Sequence, residues 1–207
     1  QDFLKARSGV YHPAAYETKN MKKRRPKRHS HKPGTFWYYN NWDFNALSTI
    51  YTQETGNDLF KAFKNLIASP IQMQDYRIKD GSYILKKDSS HAAYPISLST
   101  RDRARFGLLF MQNGRWQGKQ IISEKWIKES TKAYSKKSPR LGYGYMWWVN
   151  LQTKSYSARG YWGQYILVIP EKKLVIVHTS DKSHGDNRVS KAKFGKLLKY
   201  ILSAKQP

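Results

Sequence analysis

The sequence predicts an α+β fold in which an antiparallel sheet is flanked by helices and joined to a helical subdomain, and three observations lead to it. Apolar residues recur at helical spacing through the middle of the chain. After Arg140 they give way to short runs rich in β-branched and aromatic residues, the signature of strands. A final apolar stripe at helical spacing follows those strands. With 207 residues, 39% hydrophobic and 14% aromatic, among them 7 Trp and 15 Tyr, the chain has the composition of a globular protein and the length to bury one sizeable core. It is read as one domain, mainly helical with a basic loop over residues 1–135, and carrying the strands and a C-terminal helix over residues 136–207.

Taken in order, Gln1 to Arg7 reads as the last turns of a helix, stopped by Ser8-Gly9, where glycine can turn left-handed. Tyr11 to Gly34 is irregular and holds the run Lys22-Lys23-Arg24-Arg25-Pro26-Lys27-Arg28, too charged to bury and broken by proline, so it is expected as an exposed loop. A helix begins near Phe44, with Leu47, Ile50 and Tyr51 on one face and Gly56 closing it. Asp58 caps the next, with Leu59, Phe60, Phe63, Leu66 and Ile67 inward and an end before Pro70. Ser99 opens a third, with Asp102 as a capping-box acid and Asn113-Gly114 as its stop. Ser123 caps a short fourth helix around Trp126 and Ile127. Strands are expected over Tyr143–Val149, Ser155–Gly160, Gln164–Ile169 and Leu174–Thr179, with Pro170 to Lys173 as a hairpin turn. The last helix, from Asn187, carries Val189, Phe194, Leu197, Leu198 and Ile201.

Cysteine is absent, which excludes disulfides, thiol nucleophiles and cysteine metal sites. His12, His29, His31, His91, His178 and His184 show no metal-binding spacing, and no Gly-x-Ser-x-Gly elbow accompanies them, so neither a metal centre nor a Ser-His-Asp triad is expected. No apolar run approaches the ~20 residues that cross a bilayer. With 38 Lys+Arg against 14 Asp+Glu the net charge is +24, which favours anionic partners such as nucleic acid, acidic lipid surfaces or wall polymers, or reflects only a solvated basic surface.

Four stretches in order then carry a resemblance: Leu4 to Val10 (LKARSGV), Pro33 to Asn45 (PGTFWYYNNWDFN), Leu98 to Gly114 (LSTRDRARFGLLFMQNG) and Gly160 to Pro170 (GYWGQYILVIP). Together they resemble the serine β-lactamase-like hydrolases, which group class C β-lactamases, D-Ala-D-Ala carboxypeptidases, related esterases and nylon-oligomer hydrolases. The resemblance implies a β-lactamase/transpeptidase-like fold, no cofactor, and a small amide or ester as substrate. In that family a Ser-x-x-Lys serine attacks the carbonyl, a Tyr-x-Asn or Tyr-x-Ser tyrosine relays its proton, and a strand motif of the Lys-Thr-Gly type lines the site. Tyr39 and Asn41 match the second element. Alone, Tyr39 reads as an aromatic packed at a helix entrance; the order of motifs around it selects the catalytic position. Asn41 reads as substrate-orienting, as the cap of the following helix, or as both. Ala158-Arg159-Gly160 stands at the third element, making the Tyr161 N–H the implied oxyanion donor, with Arg159, Gly160, Trp162 and Gly163 as the implied substrate-binding stretch. Gly160 and Gly163 also read as bulge or close-packing glycines.

Two departures qualify the resemblance. The family's Ser-x-x-Lys lies upstream of the segment that Arg7-Ser8-Gly9 resembles, so the expectation is that these residues are the C-terminal portion of a longer enzyme, with its N-terminal part missing and the chain inactive by itself. Ser190-Lys191-Ala192-Lys193 is the only Ser-x-x-Lys present and reads as surface of the last helix. Secondly, Ala158-Arg159 replaces the common Lys-Thr pair, which disfavours a penicillin-type carboxylate clamp and brings the motif nearer the esterase and nylon-oligomer branch. Strand alternation places Ala158 and Gly160 together and Arg159 on the opposite side. Without the family's N-terminal strands, Leu174–Thr179 becomes an apolar edge strand. The sequence thus points to a serine hydrolase acting through an acyl-serine intermediate. The alternative is a catalytically inactive basic protein binding an anionic partner, nucleic acid or wall polymer. Compartment, periplasmic or cytoplasmic in a bacterium, and oligomeric state are left open.

Overall fold

A computed structural model describes residues 1–181 and 189–204. Its centre is a six-stranded antiparallel meander in the order β3-β4-β5-β6-β7-β8. The strands are β3 (Ser135–Ser138), β4 (Leu141–Tyr143), β5 (Trp148–Asn150), β6 (Tyr156–Gly160), β7 (Gln164–Ile169) and β8 (Leu174–His178). The run expected as one strand from Tyr143 to Val149 is therefore two, parted by a tight turn in which Met146 takes a φ of 63°. Pro170–Lys172 forms a single 3-10 turn and Lys173, with φ 48°, completes the reversal into β8. β8 is the last strand of the sheet, as expected, and its Leu-Val-Ile-Val-His run lies along an edge.

Two sheet faces follow from the register. Trp148 pairs with Ser157, Arg159 with Tyr165, and Leu167 with Ile176, so these side chains share one face. Val149, Tyr156, Ala158, Val168 and Val175 share the other, where they pack with Phe106 and Phe110 of α4 (Thr100–Met111). The approach of α4 is close: a Cβ on Gly107 would lie 2.6 Å from Val175 Cγ1, so only glycine fits. On the first face α6 (Lys191–Ser203) stacks Phe194 on Tyr165 at 4.0 Å. The expected start of this helix at Asn187 lies outside the described residues. Leu197 and Ile201, expected in its buried stripe, are exposed.

The helical part contains α1 (Lys19–Arg24), α2 (Asn41–Thr55), α3 (Leu59–Phe63) and α5 (Glu124–Ser130), with a two-stranded hairpin of β1 (Arg115–Trp116) and β2 (Lys119–Gln120) after α4. α1 buries no residue and sits in the stretch expected to be loop. α3 runs on into a π turn, Lys64–Ala68, whose wider winding rotates Leu66 out to solvent, against the expectation that it faces inward. Residues Gln1 to Arg7 form successive turns rather than a helix end. Gly9 does turn left-handed, at φ 76°. No helix among the described residues is long and apolar enough to cross a membrane.

Asp102 departs from its expected role. Ser99 caps α4 by accepting the Asp102 N–H at 3.2 Å, but the fully buried Asp102 carboxylate turns to the loop before it. There it accepts the N–H groups of Gln74, Asp75 and Tyr76 at 2.9, 3.0 and 2.9 Å. Three loop amides thus depend on one buried side chain. Asp102→Ala should lower the unfolding free energy by about 3–5 kcal/mol in urea titrations, and a loss below about 1 kcal/mol would show that water replaces the carboxylate.

Candidate active site

The Tyr39 segment is fixed from the chain start and from its own helix. Tyr38 donates its N–H to Ala6 O at 2.9 Å, and Gly34 donates to Arg7 O at 2.8 Å, so residues 6–7 and 34–38 run together. Asn40, not Asn41, is the N-cap of α2, because its Oδ1 accepts the Asp43 N–H at 2.8 Å. Asn41, the first helical residue, instead donates Nδ2 to Ala15 O at 3.4 Å. The fully buried Asp43 carboxylate accepts both the Ser8 hydroxyl and, at 3.3 Å, the Ser8 N–H. Burial pushes the Asp43 carboxyl up to about 6, against the hydrogen bonds from Ser8 and Asn40 that pull it down.

Tyr39 itself lies in an aromatic cluster, with ring centroids 4.9 Å from Phe44, 5.4 Å from Trp148 and 5.9 Å from Tyr143. Burial raises its pKa above the ordinary phenol value, and no cation acts in the opposite sense. At neutral pH it is therefore a phenol able to donate a proton, and it needs an added positive charge to act as a base.

Trp148 links this tyrosine to the strand motif. The same indole meets Arg159, whose guanidinium carbon is 5.2 Å from the ring centroid, while Arg159 Nε donates to Ser157 Oγ at 2.9 Å. Ala158 packs in the core beneath α4. The alternation expected of this strand holds, but Tyr39 lies over the face of Arg159 rather than that of Ala158. Which face the start of α2 covers is a tertiary fact that strand periodicity does not contain.

Beyond Gly160, paired with Gln164, a three-residue turn carries Tyr161, Trp162 and Gly163. Trp162 has φ 68° and Gly163 φ 88°. A Cβ on Gly163 would approach Val189 O to 2.7 Å, so glycine is demanded by both conformation and space. The turn is braced on all sides. Trp162 O accepts the Ser180 hydroxyl and the Val189 N–H, Gly163 O lies 2.7 Å from His178 Nδ1, and Gln164 Oε1 accepts Arg103 at 2.5 Å. Among the described residues no backbone hydrogen bond uses the Tyr161 N–H, and the Tyr161 ring is exposed.

Ser190 is the N-cap of α6, accepting the Lys193 N–H at 3.2 Å, which agrees with its reading as helix surface. Among the described residues no group of three His, Asp or Glu side chains could hold a metal ion. His184 lies outside those residues. Sequence reading missed Asp43; its only signal was a lone acid ahead of the apolar positions of α2.

The fold is shared with solved hydrolase-type proteins. A Bacillus anthracis protein provisionally described as a 6-aminohexanoate-dimer hydrolase superposes with a TM-score of 0.71 at 21% identity, covering 98% of this chain and 59% of its own. A penicillin-binding protein from Bacillus halodurans gives 0.67 at 15% identity over 97% of this chain and 71% of its own. A class C β-lactamase gives 0.63 at 15% identity, covering the whole of this chain and 69% of its own. The chain thus spans well under two thirds of the length of the Bacillus anthracis protein. No curated protein matches. The Beta-lactamase family model matches residues 1–199, and the chain belongs to that family.

The Asp43 clasp has a pH signature. A folded-state pKa of about 6 lies above the unfolded carboxyl's. The native state therefore holds this proton more tightly; the resulting stability is complete below the unfolded pKa of about 3.9 and is lost as pH rises through the folded one. Relative to Asp43→Asn, the wild type should lose roughly 3 kcal/mol of unfolding free energy between about pH 4 and pH 7. A pH-independent difference between the two proteins would show that the carboxyl titrates normally.

Proposed function

We propose that this chain supplies the proton-relay and oxyanion elements of a serine hydrolase that cleaves an amide or ester through an acyl-serine intermediate. The observation that carries the reading is that Tyr39 and Arg159 both contact one indole, Trp148, with the Tyr161 turn shortly after Arg159. In this reading Tyr39 takes the proton of the attacking serine and returns it to the leaving group. Asn41 orients the substrate, and the Tyr161 N–H stabilises the developing oxyanion. Arg159, Gly160, Trp162 and Gly163 form the adjoining substrate wall. Residues 1–207 then act as one β-lactamase-like domain with a serine and lysine supplied from sequence outside them, because Ser190 is committed as a helix cap and Ser8 to Asp43.

The raised pKa of Tyr39 supports the same division of labour. A buried phenol becomes a base only when a cation lowers its pKa, and the lysine of an added Ser-x-x-Lys would be that cation. Expressed with its whole reading frame, the protein should hydrolyse a chromogenic ester, and Tyr39→Phe should lower kcat about 100-fold or more with little change in KM. If residues 1–207 alone hydrolysed the ester and Tyr39→Phe left the rate unchanged, the assignment would fail.

A second reading rests on α1, which exposes Lys19, Lys22, Lys23 and Arg24 and has no acid in its first turn. A catalytically inactive protein would use this surface and the net charge of +24 to hold nucleic acid or a wall polymer. Such binding falls steeply with salt, whereas ester turnover that depends on Tyr39 has no place in it.

A further inference from the structure

The turn that carries Tyr161 holds a residue in a conformation it would not keep alone. Trp162, at φ 68°, is in the left-handed region, which a residue with a side chain enters at a cost and keeps only where its surroundings over-determine it. Gln164 is where both ends of the turn close. Its backbone pairs with Gly160, and its side chain shares the sheet face of Ile166 and Val168, the face that α4 covers. On that face Arg103 stands one helical turn before Gly107, the residue that lets α4 approach the strands, and its Nη1 donates to Gln164 Oε1 at 2.5 Å.

The hydrogen bonds from Arg103 to the turn run in one direction. A guanidinium has donors only, so Gln164 must offer it Oε1, and Nε2 is thereby aimed away from it. Nε2 donates to Ser180 O at 2.9 Å and to Ser180 Oγ at 3.3 Å. The Ser180 hydroxyl, accepting there, gives its single proton to Trp162 O. Each bond polarises the next in the same sense, and a charged donor stands at the head of the row. The peptide plane that carries the Tyr161 N–H begins at Gly160, which Gln164 pairs, and the plane that carries Trp162 O is held through the Gln164 side chain. Tyr161 is caught between two planes set by one residue.

We infer that Arg103, Gln164 and Ser180 are positioning residues for the oxyanion donor of this hydrolase: their row of hydrogen bonds sets the Trp162 carbonyl and with it the place of the Tyr161 N–H. The inference rests on the hydrolase reading and deepens it, because control of the site then reaches it from the α4 side of the sheet, opposite Tyr39. An oxyanion develops only as the reaction proceeds, so a displaced donor lowers kcat and leaves substrate binding largely as it was. Loss at the head of the row or in its middle has the same effect, since each member acts only through the next. Thr100 offers the contrast. Its Oγ1 lies 3.0 Å from Thr179 Oγ1, joining α4 to the end of β8 without entering the row.

The test compares ester turnover, and the Tyr161 amide signal in NMR, between the wild type expressed with its whole reading frame and its Arg103→Met, Gln164→Leu and Gln164→Glu variants. Gln164→Glu keeps the size of the side chain and its bond to Arg103 but turns an oxygen toward Ser180 O. Removing an oxyanion donor costs about 100-fold or more and displacing one costs less, so each variant should lower kcat about tenfold with KM within about twofold. Arg103→Met combined with Gln164→Leu should fall no further than either alone, as members of one row do. Arg103→Lys, which keeps a cationic donor, should recover most of the loss. Thr100→Ala should leave kcat unchanged. The Tyr161 amide signal should move in the slow variants and stay in place in Thr100→Ala, whether or not ester is turned over. An unchanged kcat, an unmoved amide signal, additive losses, or an equal loss in Thr100→Ala would overturn the inference, and turnover still sensitive to Tyr39→Phe would then leave the hydrolase reading standing. A moved Tyr161 signal with turnover insensitive to Tyr39→Phe sinks the hydrolase reading instead.

Discussion

The buried Asp43 carboxylate is the constraint on which the arrangement of this molecule depends. It sits in the first turn of α2, where the positive end of the helix favours an acid, and it spends both oxygens on Ser8 of a segment 35 residues earlier. That tie holds the chain start against the first turn of α2, just after Tyr39 and the Asn40 cap. A buried carboxyl is costly unless it is hydrogen-bonded, so loss of Ser8 would release more than one contact. The same economy recurs at Asp102, where one acid satisfies three loop amides and docks the loop on α4.

Trp148 does the corresponding work within the sheet. One indole is a wall for Tyr39, an edge-to-face partner for Trp37 and Tyr143, and a platform for Arg159. Tyr39 and Arg159 thus share an aromatic floor, and burial there raises the cost of a charge on the phenol. The raised pKa of Tyr39 is one consequence of that setting.

Much of the fold was legible because its signals are local. Ser99, Ser123 and Asp58 cap helices, Gly56 ends α2 in the left-handed conformation, and β7 runs from Gln164 to Ile169 as its apolar residues indicate. What escaped is long-range. β3 reads Ser-Lys-Lys-Ser and has no apolar pattern; it is a strand because β4 offers it a partner. The hairpin of β1 and β2 is only two residues a side, too short for periodicity to register. At the candidate site, Tyr39 and the Tyr161 turn were visible as motifs, whereas the face occupied by Arg159 and the Asp43 tie to Ser8 arise from elements far apart in sequence.

The account turns on where the nucleophile is and whether Tyr39 serves it. Labelling the protein, expressed with its whole reading frame, with a fluorophosphonate and locating the adduct by peptide mass spectrometry addresses both at once. The account predicts an adduct on a Ser-x-x-Lys serine outside residues 1–207, formed about 100-fold more slowly in Tyr39→Phe. An adduct on Ser8, Ser190 or another serine of this chain, or labelling at an unchanged rate in Tyr39→Phe, would contradict it.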